Sequence, residues 1–274
     1  MANRHAFIDR LPTEAEVERL RLILSTFCDG SGMNEGGSMP GWRDVERTVA
    51  AALDGRAPEN KDVFDVILTY ASEEDVGLSI KCKSLAGMDA LQKLAIGGRC
   101  YMELANSPAK FWHQLSAIGL TEADYRAKKN AQKFGAAVIA TVNSWHTGAA
   151  EAHKKTTGRI LNLNSSSYLT LSSGRDKDAN TQIYQWHSFP LVFPQGIRWE
   201  FKSEKCLSGY DPDEPKKVLF DWYGLSGGQL KYYPKGISAT FASPLFHLEK
   251  PNQISLAEKA ARYFPGQWRK IIRN

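Results

Sequence analysis

Apolar positions near the start of the chain recur three and four residues apart. Thr13 and Glu16 form a T-x-x-E capping box, and Val17, Leu20, Ile23, Leu24 and Phe27 then follow the helical period. The stretch DGSGMNEGGSMPG, residues 29–41, breaks that helix. A second helix is predicted from Trp42 to Leu53, with Val45, Val49, Ala52 and Leu53 as its buried stripe and Gly55 ending it. Glu46 stands at the margin of the stripe, three and seven residues before Val49 and Leu53, where it can look toward whatever the helix packs on.

The period changes to two in DVFDVILTYASEEDVGLSIK, residues 62–81. Two apolar runs flank the charged segment YASEED, which reads as the turn of a hairpin. Asp65 is the polar residue of the first run. In the second, Ser79, Lys81 and Lys83 share one face, which the pattern reads as outward, while Leu78, Ile80 and Cys82 share the other. Further helical patterns follow near Ala86–Leu94, after Pro108 with Ser107 or Asn106 as cap, and over residues 121–157, which carry Lys128, Lys129, Lys133, Lys154 and Lys155. From Arg159 onward, RILNL, YLTLSS, IYQWHSF, IRWEFKS, KVLFDWY and QLKYY are short, β-branched and aromatic, separated by Gly, Pro, Asp and Asn. With no internal repeat or low-complexity linker, residues 1–274 read as a single α/β body. An α-rich part spans about 1–158 and carries the hairpin; a β-rich part spans about 159–274.

Composition narrows the function classes modestly. The chain of 274 residues is 42% hydrophobic and 24% charged, which suits an ordinary folded core and argues against disorder. A net charge of +5 is compatible with a polyanionic partner without requiring one. The four cysteines, Cys28, Cys82, Cys100 and Cys206, form no C-x-x-C pair, so they read as reduced structural thiols. MANRHAFIDRL lacks the apolar core of a signal peptide, and no run approaches the roughly 20 apolar residues of a membrane span. The expectation is a cytoplasmic protein with no membrane partner.

The hairpin carries the candidate chemistry. A carboxylate from Asp65 and the ammonium of Lys81 can meet at one sheet edge, an arrangement suited to metal-assisted phosphodiester hydrolysis. There a carboxylate fixes Mg²⁺ and a lysine orients water and stabilises developing negative charge. A second acid is needed, and Glu46 is the donor that geometry offers, with Asp62 in reserve for the first position and Glu103 for the second. The same Asp and Lys could instead form a plain structural ion pair.

The succession of a helix with a glutamate (GWRDVERTVAAAL), a strand with the aspartate (VFDVIL), a strand ending in x-I-K (LSIK) and a helix (AGMDALQKLA) resembles the PD-(D/E)XK nuclease superfamily, within it the type II restriction endonucleases. The resemblance covers about the first 115 residues. It departs from the family pattern at Phe64, where a proline precedes the aspartate, and at Ser79, where an acid stands two residues before the lysine. It implies a mixed central sheet flanked by helices, a restriction endonuclease-like core. It also implies a sequence-specific, Mg²⁺-dependent endonuclease acting on double-stranded DNA as a homodimer beside a cognate DNA methyltransferase. The site would comprise Asp65, Lys81, Glu46 and Ser79, with Asp65 and Glu46 on the metal. The alternative is a DNA-binding module on the same scaffold that does not cleave.

A rival constellation combines Asp176 or Asp178, in what reads as the polar loop SGRDKDAN, with the E-x-K form of Glu200 and Lys202. Base contacts are expected from Arg175, Lys177, Asn180 and Gln182, and phosphate contacts from Lys154 and Lys155 in AHKKTTGR. His113, His146, His153, His187 and His247 show no metal-ligand spacing, and His146 and His153, two turns apart on one helix, read as surface groups.

Overall fold

The computed structural model describes residues 6–7, 10–30, 40–58, 63–69 and 74–272. The two N-terminal helices form where the apolar period placed them. α1 (Glu14–Ser25) starts at the Thr13 cap, with the reciprocal Thr13 and Glu16 hydrogen bonds both made. In α2 (Trp42–Ala52) the Asp44 carboxylate accepts from the Gly41 amide at 2.8 Å and satisfies a free N–H of the first turn. Val45, Val49, Ala52 and Leu53 are all buried.

β1 (Val66–Thr69) and β2 (Glu74–Ser84) form the antiparallel hairpin, with Val66 opposite Leu78 and Thr69 opposite Asp75. The predicted turn is shorter than YASEED, because Glu74 and Asp75 already belong to β2. A short α3 (Met88–Gln92), β3 (Met102–Asn106), α4 (Pro108–Ala117, with Pro108 in its first turn), α5 (Glu122–Arg126) and the 27-residue α6 (Ala131–Thr157) follow. Then come β4 (Ile160–Leu161), β5 (Ser167–Asp176), β6 (Thr181–Pro190), β7 (Arg198–Phe201), β8 (Leu207–Tyr210), β9 (Val218–Trp222), β10 (Gln229–Tyr232), β11 (Phe241–Ala242) and β12 (Phe246–His247). The sequence pattern did not anticipate β3, β8, β11, β12 or the closing helices α7 (Leu256–Tyr263) and α8 (Pro265–Ile272).

Two sheets result. The first is mixed, in the order β1-β2-β5-β6-β11, with β4 also on β2 and β12 also on β6. β2 runs parallel to β5, so that Lys81 lies opposite Thr170, and the other long pairings are antiparallel. The second sheet is antiparallel, in the order β3-β10-β9-β8-β7. Each sheet takes strands from both sides of residue 158, so the division between an α-rich and a β-rich part is one of sequence texture and not a boundary in space.

One face of the first sheet, with Val66, Leu68, Val76, Leu78 and Ile80, packs on Leu20 and Leu24 of α1 and Val45 and Val49 of α2. The opposite face joins a larger core. There Phe134, Val138, Val142 and Ala149 of α6 meet Ile67 and Tyr168 of the first sheet and Trp199, Phe220 and Trp222 of the second. The face carrying Ser79 is therefore covered by α6, and Ser79 is buried.

The seam between α6 and the second sheet rests on Gly135. A Cβ there would stand 2.0 Å from the Trp199 ring, which explains a glycine inside a long helix where alanine is intrinsically better by about 1 kcal/mol. Gly135→Ala is expected to destabilise the fold by about 1–3 kcal/mol, because the overpacking exceeds the helix-propensity gain. Urea denaturation checks this, and an unchanged midpoint would mean that the ring yields freely.

Candidate active site

Asp65 precedes β1 directly and is half-buried. Its backbone N–H donates to the Leu78 carbonyl at 3.0 Å, and its Oδ2 accepts from the Ile80 amide at 2.7 Å. The carboxylate is thus fixed to β2 between Ser79 and Lys81, at the point where β1 no longer supplies a partner. Strand alternation puts Lys81 on the same side as Ser79, the side covered by α6. Asp62 and residues 70–73 lie outside the described residues.

Glu46 reaches this region from the other side of the sheet. It is 4% exposed and accepts from Arg43 Nη1 at 3.1 Å, one turn earlier on α2. Cys82 reports the shared neighbourhood. Its thiol, open to solvent on one side but hemmed by packed elements, is pushed up first by desolvation; Lys81 lowers it, and Glu46 and Asp65 raise it. Asp65 and Lys81 thus lie within two residues of each other's register on the hairpin, while Glu46 is buried on the α2 side of the same sheet with Arg43 as its partner. Among the described residues no group of three or more His, Cys, Asp and Glu side chains is gathered to hold a metal.

His146 sits under the same sheet face. It is not a surface group: its Nε2 lies 3.1 Å from the Tyr168 hydroxyl and its ring stacks on Phe64 at 6.0 Å. Burial first, and the charge of Lys81 second, hold its pKa down at about 4. A neutral imidazole therefore backs Lys81 at neutral pH. His153, one heptad on, is also inside, with Nε2 2.8 Å from Asp75 Oδ2. Both histidines continue the stripe Phe134, Val138, Val142 and Ala149 of α6, the signal that would have identified them as inward-facing.

The candidate DNA contacts separate into two groups. Arg175, Lys177, Asn180 and Gln182 belong to the β5–β6 hairpin; Lys81 pairs with Thr170, so Arg175 lies five residues, about 17 Å, further along β5. SGRDKDAN is not a floppy loop. Asp176 closes β5, its Oδ1 accepts from the amides of Asp178 and Ala179 at 3.0 and 3.2 Å, and Arg175 donates to the side chain of Asn180. Gln182 is half-buried, and its Oε1 is buried with no hydrogen-bond partner. Lys154 and Lys155 are exposed in the last turn of α6, which Gly158 ends in a left-handed conformation. They lie beside Asp75, at the opposite end of β2, six residues or about 20 Å along the strand from Lys81. Lys81 therefore lies between the two groups along the sheet, at a comparable distance from each.

The rival constellation is not assembled. Glu200 lies exposed on β7, the edge strand of the second sheet, paired with Arg198, and Lys202 lies just beyond that strand, whereas Asp176 and Asp178 belong to the first sheet. Glu103 is on β3, opposite Lys231. No family model matches the chain, and neither a curated protein nor a solved structure matches it. No described helix is long and apolar enough to cross a membrane.

Proposed function

We propose that this protein is a Mg²⁺-dependent endonuclease that cleaves double-stranded DNA at a defined sequence. The observation that carries the reading is the tether of the Asp65 carboxylate to the Ile80 amide, which holds an acid against the strand bearing Lys81, on a sheet whose other face is packed by the helix of Glu46. The order of elements supports it too: a helix with Glu46, Asp65 at the head of one strand, Lys81 on its hairpin partner, then a helix.

In this reading Asp65 and Glu46 hold Mg²⁺. The ion, when bound, polarises the scissile phosphate and lowers the pKa of the attacking water. Lys81 orients that water and offsets the charge that grows on the phosphate, and Ser79 packs beneath it. Base edges are read by Arg175, Lys177, Asn180 and Gln182, while Lys154 and Lys155 add sequence-independent attraction to backbone beyond the site. A homodimer would place two sites on a symmetric target, and a DNA methyltransferase would protect the host copy of it.

A second reading, a DNA-binding module that does not cut, draws on the partners that Asp65 and Glu46 already have. An acid serving an amide and an acid serving an arginine can both be structural.

Incubation with plasmid and Mg²⁺ decides between the two. The expected result is a discrete set of fragments, abolished by chelation and by Asp65→Ala, while the variant keeps its affinity for the same DNA. Binding without cleavage under all metal conditions would leave the second reading; a smear of fragments would remove sequence specificity.

A further inference from the structure

A cavity of about 400 Å³ opens between α6 and the segment around Arg56, on the far side of Phe64 from the β2 end just described. Its apolar lining is Phe64, Ile67, Ala149 and Leu161; its polar lining includes Arg56 and His153. A mostly apolar hollow of this size with a few fixed polar groups has the make-up of a small-molecule site.

The two polar groups are differently prepared. Arg56 is held by its backbone, which exchanges hydrogen bonds of 2.8 Å with Ile67 in both directions. Its guanidinium is exposed and makes no ion pair or hydrogen bond among the described residues. His153 is oriented from behind. Asp75, only 1% exposed, accepts from Arg159 Nε at 2.7 Å through one oxygen and faces His153 Nε2 at 2.8 Å through the other. A carboxylate only accepts, so Nε2 carries the hydrogen and Nδ1 is left without a partner among the described residues. Nδ1 is then left as a hydrogen-bond acceptor.

We propose that this cavity binds a phosphate monoester with a flat apolar body, the body against Phe64 and Ile67 and the phosphate between Arg56 and His153. Arg56 supplies a planar fork for two phosphate oxygens. A phosphate monoester can present bare oxygens to the guanidinium and a P–OH to Nδ1 at the same time, whereas a carboxylate has no donor to offer. The inference stands apart from the nuclease reading, since it uses none of that site's residues.

Phenyl phosphate is the probe, titrated calorimetrically into the intact chain. Saturable binding is expected, at least tenfold tighter than that of inorganic phosphate, because the ring fills the apolar part. Arg56→Ala, at an exposed position, should weaken it at least tenfold with the melting temperature unchanged, and Arg56→Lys should recover part of the loss. The doubly substituted Lys154→Ala, Lys155→Ala protein should bind as the wild type does. No saturable binding by the wild type, equal affinity for inorganic phosphate, or a loss confined to the lysine variant would each overturn the proposal; the last would reduce it to surface attraction.

Discussion

Lys81→Ala is expected to lower single-turnover cleavage by about a hundred- to a thousand-fold at saturating Mg²⁺, with DNA affinity changed far less. In the proposed nuclease reading the ammonium acts on charge that develops mainly in the transition state, so its loss falls on turnover and not on ground-state binding. Added metal cannot compensate, because the lost group is no ligand. Lys83, two residues on and on the same side of β2, provides the internal comparison. Its Nζ stands 4.3 Å from the centre of the Tyr101 ring, at the edge of the second sheet, and is engaged there by a cation–π contact. Lys83→Ala should therefore cut at close to the wild-type rate. The two variants are compared with enzyme in excess over DNA. Should Lys83→Ala be the dead protein, the phosphate lies one side-chain pair further along the strand; should both cut normally, this end of β2 is not the catalytic centre.

Asp75→Ala is expected to cost about 3 kcal/mol of folding stability, whatever the protein's activity. The carboxylate is almost wholly buried and joins β2 to Arg159 and to His153 on α6. Removing one partner of a buried charged pair typically costs about 3–5 kcal/mol, since the other is left without compensation. The lower end applies because the Arg159 side chain keeps 30% of its exposure and can be partly rehydrated. Asp75→Asn should fall between, retaining one acceptor. Denaturant midpoints for both variants supply the check, and a loss under about 1 kcal/mol for Asp75→Ala would show that water replaces the carboxylate readily.

These two residues also mark how far local pattern reaches. Lys81 could be assigned to a strand face from alternation alone, because the period of two in VGLSIK is a property of the backbone. Asp75 could not be recognised: in YASEED it is one of three consecutive acids, and nothing local says that the third lies inside. Its burial follows from the pairing of β2 with β4, which brings Arg159 alongside Glu74 and Asp75 from 84 residues away. His146 and His153 were misread for a related reason. A histidine on a helix is buried when the face it shares is packed, and His146 and His153 lie on the α6 stripe of Phe134, Val138, Val142 and Ala149 that meets the first sheet.

By itself the sequence determined the elements whose signals are local. These include the α1 capping box, the buried stripe of α2, the β1–β2 hairpin and its two faces, the Pro108 helix start and most of the later strands. It also brought Asp65 and Lys81 together, since a hairpin places both within one short stretch. Only the tertiary structure decided that Glu46 is buried on the α2 side of the sheet beside Arg43, that Ser79 is covered, and that Lys154 and Lys155 lie at the opposite strand end from Arg175 and Lys177. It alone showed that Glu200 and Lys202 belong to another sheet from Asp176. Those outcomes depend on strand order and on parallel pairing across more than 80 residues, where the favourable free energy comes from burying whole faces such as Phe134, Trp199 and Trp222 together, and no short window of sequence records which faces will meet.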